Sequence, residues 1–366
     1  MKFAKIVIPT YVAAMVALAG TAHADPSAKP VKLIYAGYIT RGGTATQLDE
    51  WFMQEVSRRT NGRVTFEAYY SGSLLNAADL YPGLSRGAAD IVTGTPQAYN
   101  PQEYPLSSIV VPYLTDKADA VTYAFNDLYK NNADFRKEFE GKGVEMLWAA
   151  AFPETGVWSN KKVGSIADLK GMRIRSALGI AQAFEILGAT PVAMTFTEGV
   201  DALKRGAIDG MSSAPFDSAV GVGLPKVAAF VSDAGRMGIN SVSIASINKR
   251  KLDSLDPEAR KVILDLAGEM PKKYAEVVDK KIQQSAEKFA AEAGDITVIT
   301  TPEKEVEAWR AKTADKLKAE WLQLAGKRTK NAEAMFQQYV ELVRKYEKAS
   351  TYKPGLDRFE DLKGKK

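Results

Sequence analysis

Arg86-Gly87-Ala88-Ala89-Asp90 and Arg205-Gly206-Ala207-Ile208-Asp209 are one five-residue pattern written twice in the chain. Each copy closes a stretch with helical spacing and opens a short apolar run. Upstream of the first copy, Val31-Lys32-Leu33-Ile34-Tyr35-Ala36-Gly37 reads as a buried strand of the parallel-sheet kind. Leu48, Trp51, Phe52 and Val56 recur at three- and four-residue intervals and predict a helix, which Asn61-Gly62 ends with a left-handed cap. Val64, Phe66, Ala68 and Tyr70 alternate as a strand, 77–86 reads as a second helix and 89–92 as a third strand. The order is β-α-β-α-β.

The second copy closes the same order. Ser165-Ile166-Ala167-Asp168 has capping-box spacing, and 173–176 reads as a strand. Ile180, Ala183, Phe184 and Leu187 form one helical face that Gly188 stops, and 191–194 makes the next strand. Thr195-Phe196-Thr197-Glu198 is another capping box, starting a helix that ends at Gly206 before a short strand at 208–211. Matching element order around a repeated pentapeptide predicts a duplicated α/β unit. Two such units facing each other make a cleft.

The ends and the composition limit what that cleft can do. Two lysines precede the apolar run 6–19, and Ala22-His23-Ala24 supplies the small residues a signal peptidase reads, so 1–24 is expected to be a cleaved signal peptide and the mature chain to be exported to the periplasm. The run falls short of the ~20 apolar residues of a membrane span, and Pro9 interrupts it. His23 is the single histidine and cysteine is absent. A mature chain without either cannot build a Ser-His-Asp or Cys-His nucleophile, a thiolate redox centre or an ordinary zinc site. Carboxylate-only catalysis remains open. The net charge of +5 falls to +3 without Lys2 and Lys5, and its dispersal argues for a solvated surface and against nucleic acid as a partner.

Further along, Ser241-Val242-Ser243-Ile244-Ala245-Ser246-Ile247 alternates as a strand that belongs to neither unit by order and is expected to cross back between domains. Residues 256–347 are helical by propensity apart from 296–300, and Pro271 is expected to kink or divide the first of these helices. Arg173 and Arg175 lie two apart on one strand and so share a side. Each either grips an anion, for which a guanidinium fork suits a carboxylate, or pairs with a nearby acid such as Asp168 or Glu185.

Asp168-Leu169-Lys170-Gly171-Met172-Arg173-Ile174-Arg175-Ser176, then Leu187-Gly188-Ala189-Thr190-Pro191-Val192 and Ala202-Leu203-Lys204-Arg205-Gly206-Ala207-Ile208-Asp209-Gly210, together with Tyr70-Ser71-Gly72-Ser73-Leu74, resemble the extracytoplasmic solute-binding proteins of TRAP transporters, the DctP-like family. The resemblance implies a two-lobed periplasmic binding protein fold of the α/β class, with hinge strands and long helices bracing both lobes. It implies a domain I of 25–154 plus 241–272, a domain II of 155–240 plus 273–347, and a C-terminal tail of 348–366.

By position in that family, Arg175 binds the ligand carboxylate and Arg173 is its structural neighbour. Phe196, Ser213 and Asn240 map as further contacts from the second domain, and Tyr38, Asn76 and Tyr99 from the first. Thr155 and Tyr99 stand near places where some sialic-acid-binding relatives carry more arginines, and Trp158 is close by in sequence. The expected ligand is therefore a small organic carboxylate with an apolar or aromatic body. The resemblance implies no enzyme activity, no cofactor and no metal, and it implies membrane subunits of a TRAP transporter as partners. An exported hydrolase or lyase using Asp209 or Asp217, and a binding protein serving a sensor or an ATP-driven importer, are the alternatives.

Overall fold

A computed structural model describes residues 29–364, so the expected signal peptide lies outside the described residues. Two sheets form the frame. The first has the strand order β2-β1-β3-β10-β4, built from β1 (Val31–Gly37), β2 (Val64–Tyr69), β3 (Ile91–Gly94), β4 (Val144–Ala151) and β10 (Val242–Asn248). The second has the order β11-β9-β5-β8-β6-β7, from β5 (Val157–Ser159), β6 (Arg173–Arg175), β7 (Thr190–Val192), β8 (Gly210–Met211), β9 (Phe230–Ser232) and β11 (Thr297–Ile299). Helices α1 (Thr44–Arg59), α2 (Leu80–Arg86), α3 (Pro96–Tyr99), α4 (Ala118–Asn131) and α5 (Ala133–Glu140) belong to the first lobe by sequence order. Helices α6 (Ile166–Leu169), α7 (Leu178–Ile186), α8 (Phe196–Lys204) and α9 (Phe216–Gly221) follow in the second.

The repeated pentapeptide folds the same way twice. Gly87 and Gly206 take the left-handed conformation, with φ of 84° and 70°, which a residue with a Cβ rarely adopts. After the first helix, Gly87 N–H donates to Leu84 O and Ala88 N–H to Gly83 O; after the second, Gly206 N–H donates to Leu203 O and Ala207 N–H to Ala202 O. Both are the paired bonds of a Schellman ending.

The aspartate that follows clamps the neighbouring strand in both lobes. Asp90 N–H donates to Ile34 O at 2.9 Å while its carboxylate accepts from Ile34 N–H at 2.8 Å. Asp209 N–H donates to Arg173 O at 2.8 Å and its carboxylate accepts from Arg173 N–H at 2.9 Å. A lysine completes each clamp, Lys251 on Asp90 and Lys161 on Asp209. The parallel pairs β1 with β3 and β6 with β8 align these copies, so Arg175 occupies the place of Ala36 in the first lobe.

Each lobe receives a strand across the connection. The chain leaves β4 in the first sheet for β5, which lies antiparallel to β8, and β10 returns to lie antiparallel between β3 and β4. Helix α10 (Lys249–Asp253) leads to α11 (Pro257–Glu292), which runs unbroken through Pro271, so the expected division there does not occur. Packing on both lobes holds α11 together at the cost of one backbone bond: it lies against α1, α4 and β4 of the first and α9 of the second.

The partition expected at 272/273 thus falls inside a continuous helix. Helix α12 (Glu303–Ala325) packs Trp309 edge to face with Phe184 at its start and sets Trp321 at a tilt against Phe336 near its end. Helix α13 (Ala332–Glu347), expected with the second domain, packs on α4 of the first. The expected tail contains α14 (Gly355–Lys363), seated on α11. An apolar stripe shows that a helix is covered and not by what. No helix among the described residues is long and apolar enough to cross a membrane.

Buried carboxyl groups set the acid-base behaviour of this core. Asp49 accepts from Tyr35 Oη at 2.6 Å and Thr93 Oγ1 at 2.8 Å, and Glu138 accepts from the Leu106 and Ser107 amides at 2.7 and 2.9 Å. Glu154, in the connection from β4 to β5, accepts from Tyr352 Oη and the Gly355 amide. Burial pushes each of the three up to about 7. The folded state therefore holds protons that the unfolded chain releases near pH ~4, so stability falls as pH rises from there through about 7. The urea midpoint is expected to be higher at pH ~5.5 than at pH ~8, and Glu138→Gln should flatten that slope. A midpoint that rises over this range would contradict the assignment.

Candidate ligand-binding site

Arg173 and Arg175 meet opposite fates on β6. Arg173 is exposed and its Nε lies 3.2 Å from Asp209, whose carboxyl is held well below the usual range by the Arg173 guanidinium and by the Arg173 amide. Arg175 is 6% exposed. Its Nε donates to Met194 O at 3.2 Å, and its Nη1 donates to Ser212 O at 3.2 Å and Ser213 O at 3.0 Å. Nη2 has no hydrogen-bond partner, and no carboxylate lies within ion-pair distance of the guanidinium, among the described residues. Burial pushes its pKa down, opposed by the nearby phenols of Tyr99 and Tyr38. A buried cation without a counter-ion is costly, so the site favours the arrival of an anion.

The surrounding backbone explains how Arg175 is held. Ser213 takes a left-handed turn after β8, with φ of 49°, which turns its carbonyl to the guanidinium while its Oγ accepts from the Ala177 amide at 3.0 Å. The Thr195–Glu198 capping box is present, with Glu198 accepting from the Thr195 amide at 2.9 Å. It sets Phe196 at the first turn of α8, where the ring centroid lies 5.8 Å from Arg175 Cζ. Across the cleft, Tyr38 follows β1 and hydrogen-bonds Thr95 Oγ1 at 3.2 Å. Tyr38 and Tyr99 pack edge to face with centroids 5.4 Å apart, and Tyr99 is 44% exposed. Both sides are strand C-terminal ends, where open α/β sheets present ligands.

A model of the DctP family, described as bacterial extracellular solute-binding protein family 7, matches residues 40–323. The chain belongs to that family. A TRAP periplasmic solute-binding protein from Desulfovibrio salexigens shares its fold with a TM-score of 0.76 and 26% identity, covering 87% of this chain and 97% of that one. The 2,3-diketo-L-gulonate-binding periplasmic protein of Escherichia coli is 28% identical over 262 residues, 69% of this chain and 76% of its own length. A TRAP solute-binding protein from Rhodoferax ferrireducens, solved with copurified benzoate, has the same fold at 22% identity and a TM-score of 0.74, covering 87% of this chain and 99% of that one.

In this member of the family the remaining sequence candidates are distributed unevenly. Ser213 and Phe196 adjoin Arg175, and Tyr38 with Tyr99 faces it. Asn76 is exposed and its Oδ1 accepts from the Ala78 and Asp79 amides, capping the turn before α2. Asn240 bonds through Nδ2 to Gly238 O at 3.1 Å, ahead of β10. Trp158 is a correction: it is fully buried, with its ring against Phe216 and Phe289, and serves as core beneath the second sheet. It sits on β5, between β8 and β9 in the second sheet.

Thr95 was not anticipated, and Asp217 takes a different role from the catalytic one considered for it. Thr95 braces Tyr38, and only its place at the end of β3 signalled it. Asp217 accepts from Thr44 N–H at 3.1 Å and Thr44 Oγ1 at 2.7 Å, so a carboxylate of the second lobe caps α1 of the first. Gly43, the residue before α1, offers no side chain for that task. Asp209 and Asp217, the acids proposed for a hydrolase, are thus both engaged in structural bonds.

Proposed function

We propose that this protein is the periplasmic receptor of a TRAP transporter, capturing a small organic carboxylate by closure of its lobes and delivering it to the membrane subunits. The observation that carries the reading is Arg175, a buried guanidinium that, among the described residues, has Nη2 free and no acidic partner. The ligand carboxylate meets Nη2, Phe196 forms one wall, and Tyr38 with Tyr99 forms the facing side. Ser213 supports the anchor through its carbonyl. Asn76 and Asn240 act as turn caps at the margin in the structure as it stands and reach the ligand only if closure carries them further. The lobes move as the two sheets with their flanking helices, with 152–156 and the entry to β10 as hinges and α11 spanning both. The protein binds without converting its ligand, because the candidate acids are committed elsewhere.

A thermal-shift series tests this with acids and their neutral counterparts, such as benzoate with benzamide and pyruvate with its methyl ester. Binding to the folded state alone raises stability by about 2.7 kcal/mol at a hundredfold excess over Kd. At least one acid is expected to raise the melting temperature, its neutral partner is not, and the acid is recovered unchanged. Equal shifts by the neutral partners, or consumption of the acid, would defeat the reading.

A further inference from the structure

We infer that the cleft selects a ligand bearing a single ionised group on a flat apolar body, an aromatic monocarboxylate in preference to a dicarboxylate or a zwitterion. The inference deepens the carboxylate reading above and rests on it. Its first support is a count of charges. Arg175 is the cation at the floor of the site, and the other strand arginine, Arg173, is held by Asp209. Among the described residues, the side chains recorded against the Arg175 guanidinium are the phenyl ring of Phe196 and the phenols of Tyr38 and Tyr99. One carboxylate neutralises one guanidinium. A second carboxylate would be desolvated against rings and phenols with no cation to meet it. A ligand ammonium would lie beside the guanidinium, and Asp209 and Asp217 are already bonded to Arg173 and Thr44.

The second support is the hydrogen-bond geometry. Nε and Nη1 point at three backbone carbonyls, so the anchor keeps only the two hydrogens of Nη2 for a ligand. That suits one carboxylate. The third is shape: rings come from both lobes, Phe196 beside the guanidinium and the edge-to-face Tyr38–Tyr99 pair opposite, which favours a planar body that stacks.

Calorimetry on the mature protein tests the rule with probes matched in size and differing in charge. Monomethyl terephthalate is compared with terephthalate, and 3-phenylpropanoate with phenylalanine. In each pair the singly charged probe is expected to bind on the order of 100-fold more tightly, as an unpaired buried charge requires. Tyr99→Arg, at a position exposed enough to accept the change, is expected to shift the preference toward terephthalate. Equal or tighter binding of terephthalate or phenylalanine by the unaltered protein overturns the inference. If that binding still needs Arg175, the carboxylate reading survives. If no acid of either kind binds, both fall.

Discussion

Arg175→Ala abolishes carboxylate binding and leaves the protein folded: this is the expected result, by calorimetry for affinity and circular dichroism for the fold. Truncating one partner of a buried, hydrogen-bonded charge pair costs about 2–5 kcal/mol, a loss of roughly 30-fold to several thousand-fold in affinity. Stability responds differently because two effects oppose each other. The change removes a buried cation that has no counter-ion, which favours the folded state, and it deprives the Met194, Ser212 and Ser213 carbonyls of a donor, which disfavours it. Arg175→Lys keeps the charge and loses the fork, since one ammonium cannot serve three carbonyls and a ligand in one plane. It is expected to fall between the two, with binding weakened about tenfold or more. Unchanged affinity in the alanine variant would mean that the anchor lies elsewhere.

Gly238→Ala is expected to be severely damaging, lowering stability by about 3 kcal/mol or more. Gly238 has a φ of 69°, and an added Cβ would lie 2.3 Å from Thr115 O. The obstacle is backbone, fixed on both sides, since Tyr113 N–H donates to Met237 O and Ile239 N–H to Thr115 O, both at 2.9 Å. Left-handed strain and the collision therefore add, and no side-chain rotation relieves them. This pairing joins the first lobe to the segment entering β10, so the variant should also weaken ligand binding. Urea denaturation measures the first effect, and a midpoint within experimental error of the unaltered protein would refute it.

Much of this molecule was readable in one dimension because its decisive bonds are local. A Schellman ending needs a glycine at a set offset from the helix, and a capping box needs an acid three residues after a hydroxyl. Both spacings are visible before any folding, and both Thr195 and Ser165 make the expected bonds. The duplicated pentapeptide was legible for the same reason, and the clamp of Asp90 and Asp209 on the adjoining strands explains why its last residue recurs. Arg173 and Arg175 stood out together as two cations on one short strand, and the family resemblance pointed to Arg175. Its lack of an acidic partner was invisible, because a partner is a matter of distance.

What the amino-acid order determined by itself was the alternation of strands and helices, the duplication and the exclusion of cysteine chemistry. Those follow from side-chain period, backbone propensity and the groups present. Tertiary structure alone decided that Trp158 is core, that α11 passes unbroken through Pro271, that α13 lies on the first lobe and that Asp217 caps a helix 173 positions away. Each of these depends on which surfaces meet, and hydrophobic burial is non-directional: it tells a side chain to leave water without naming the neighbour that will cover it.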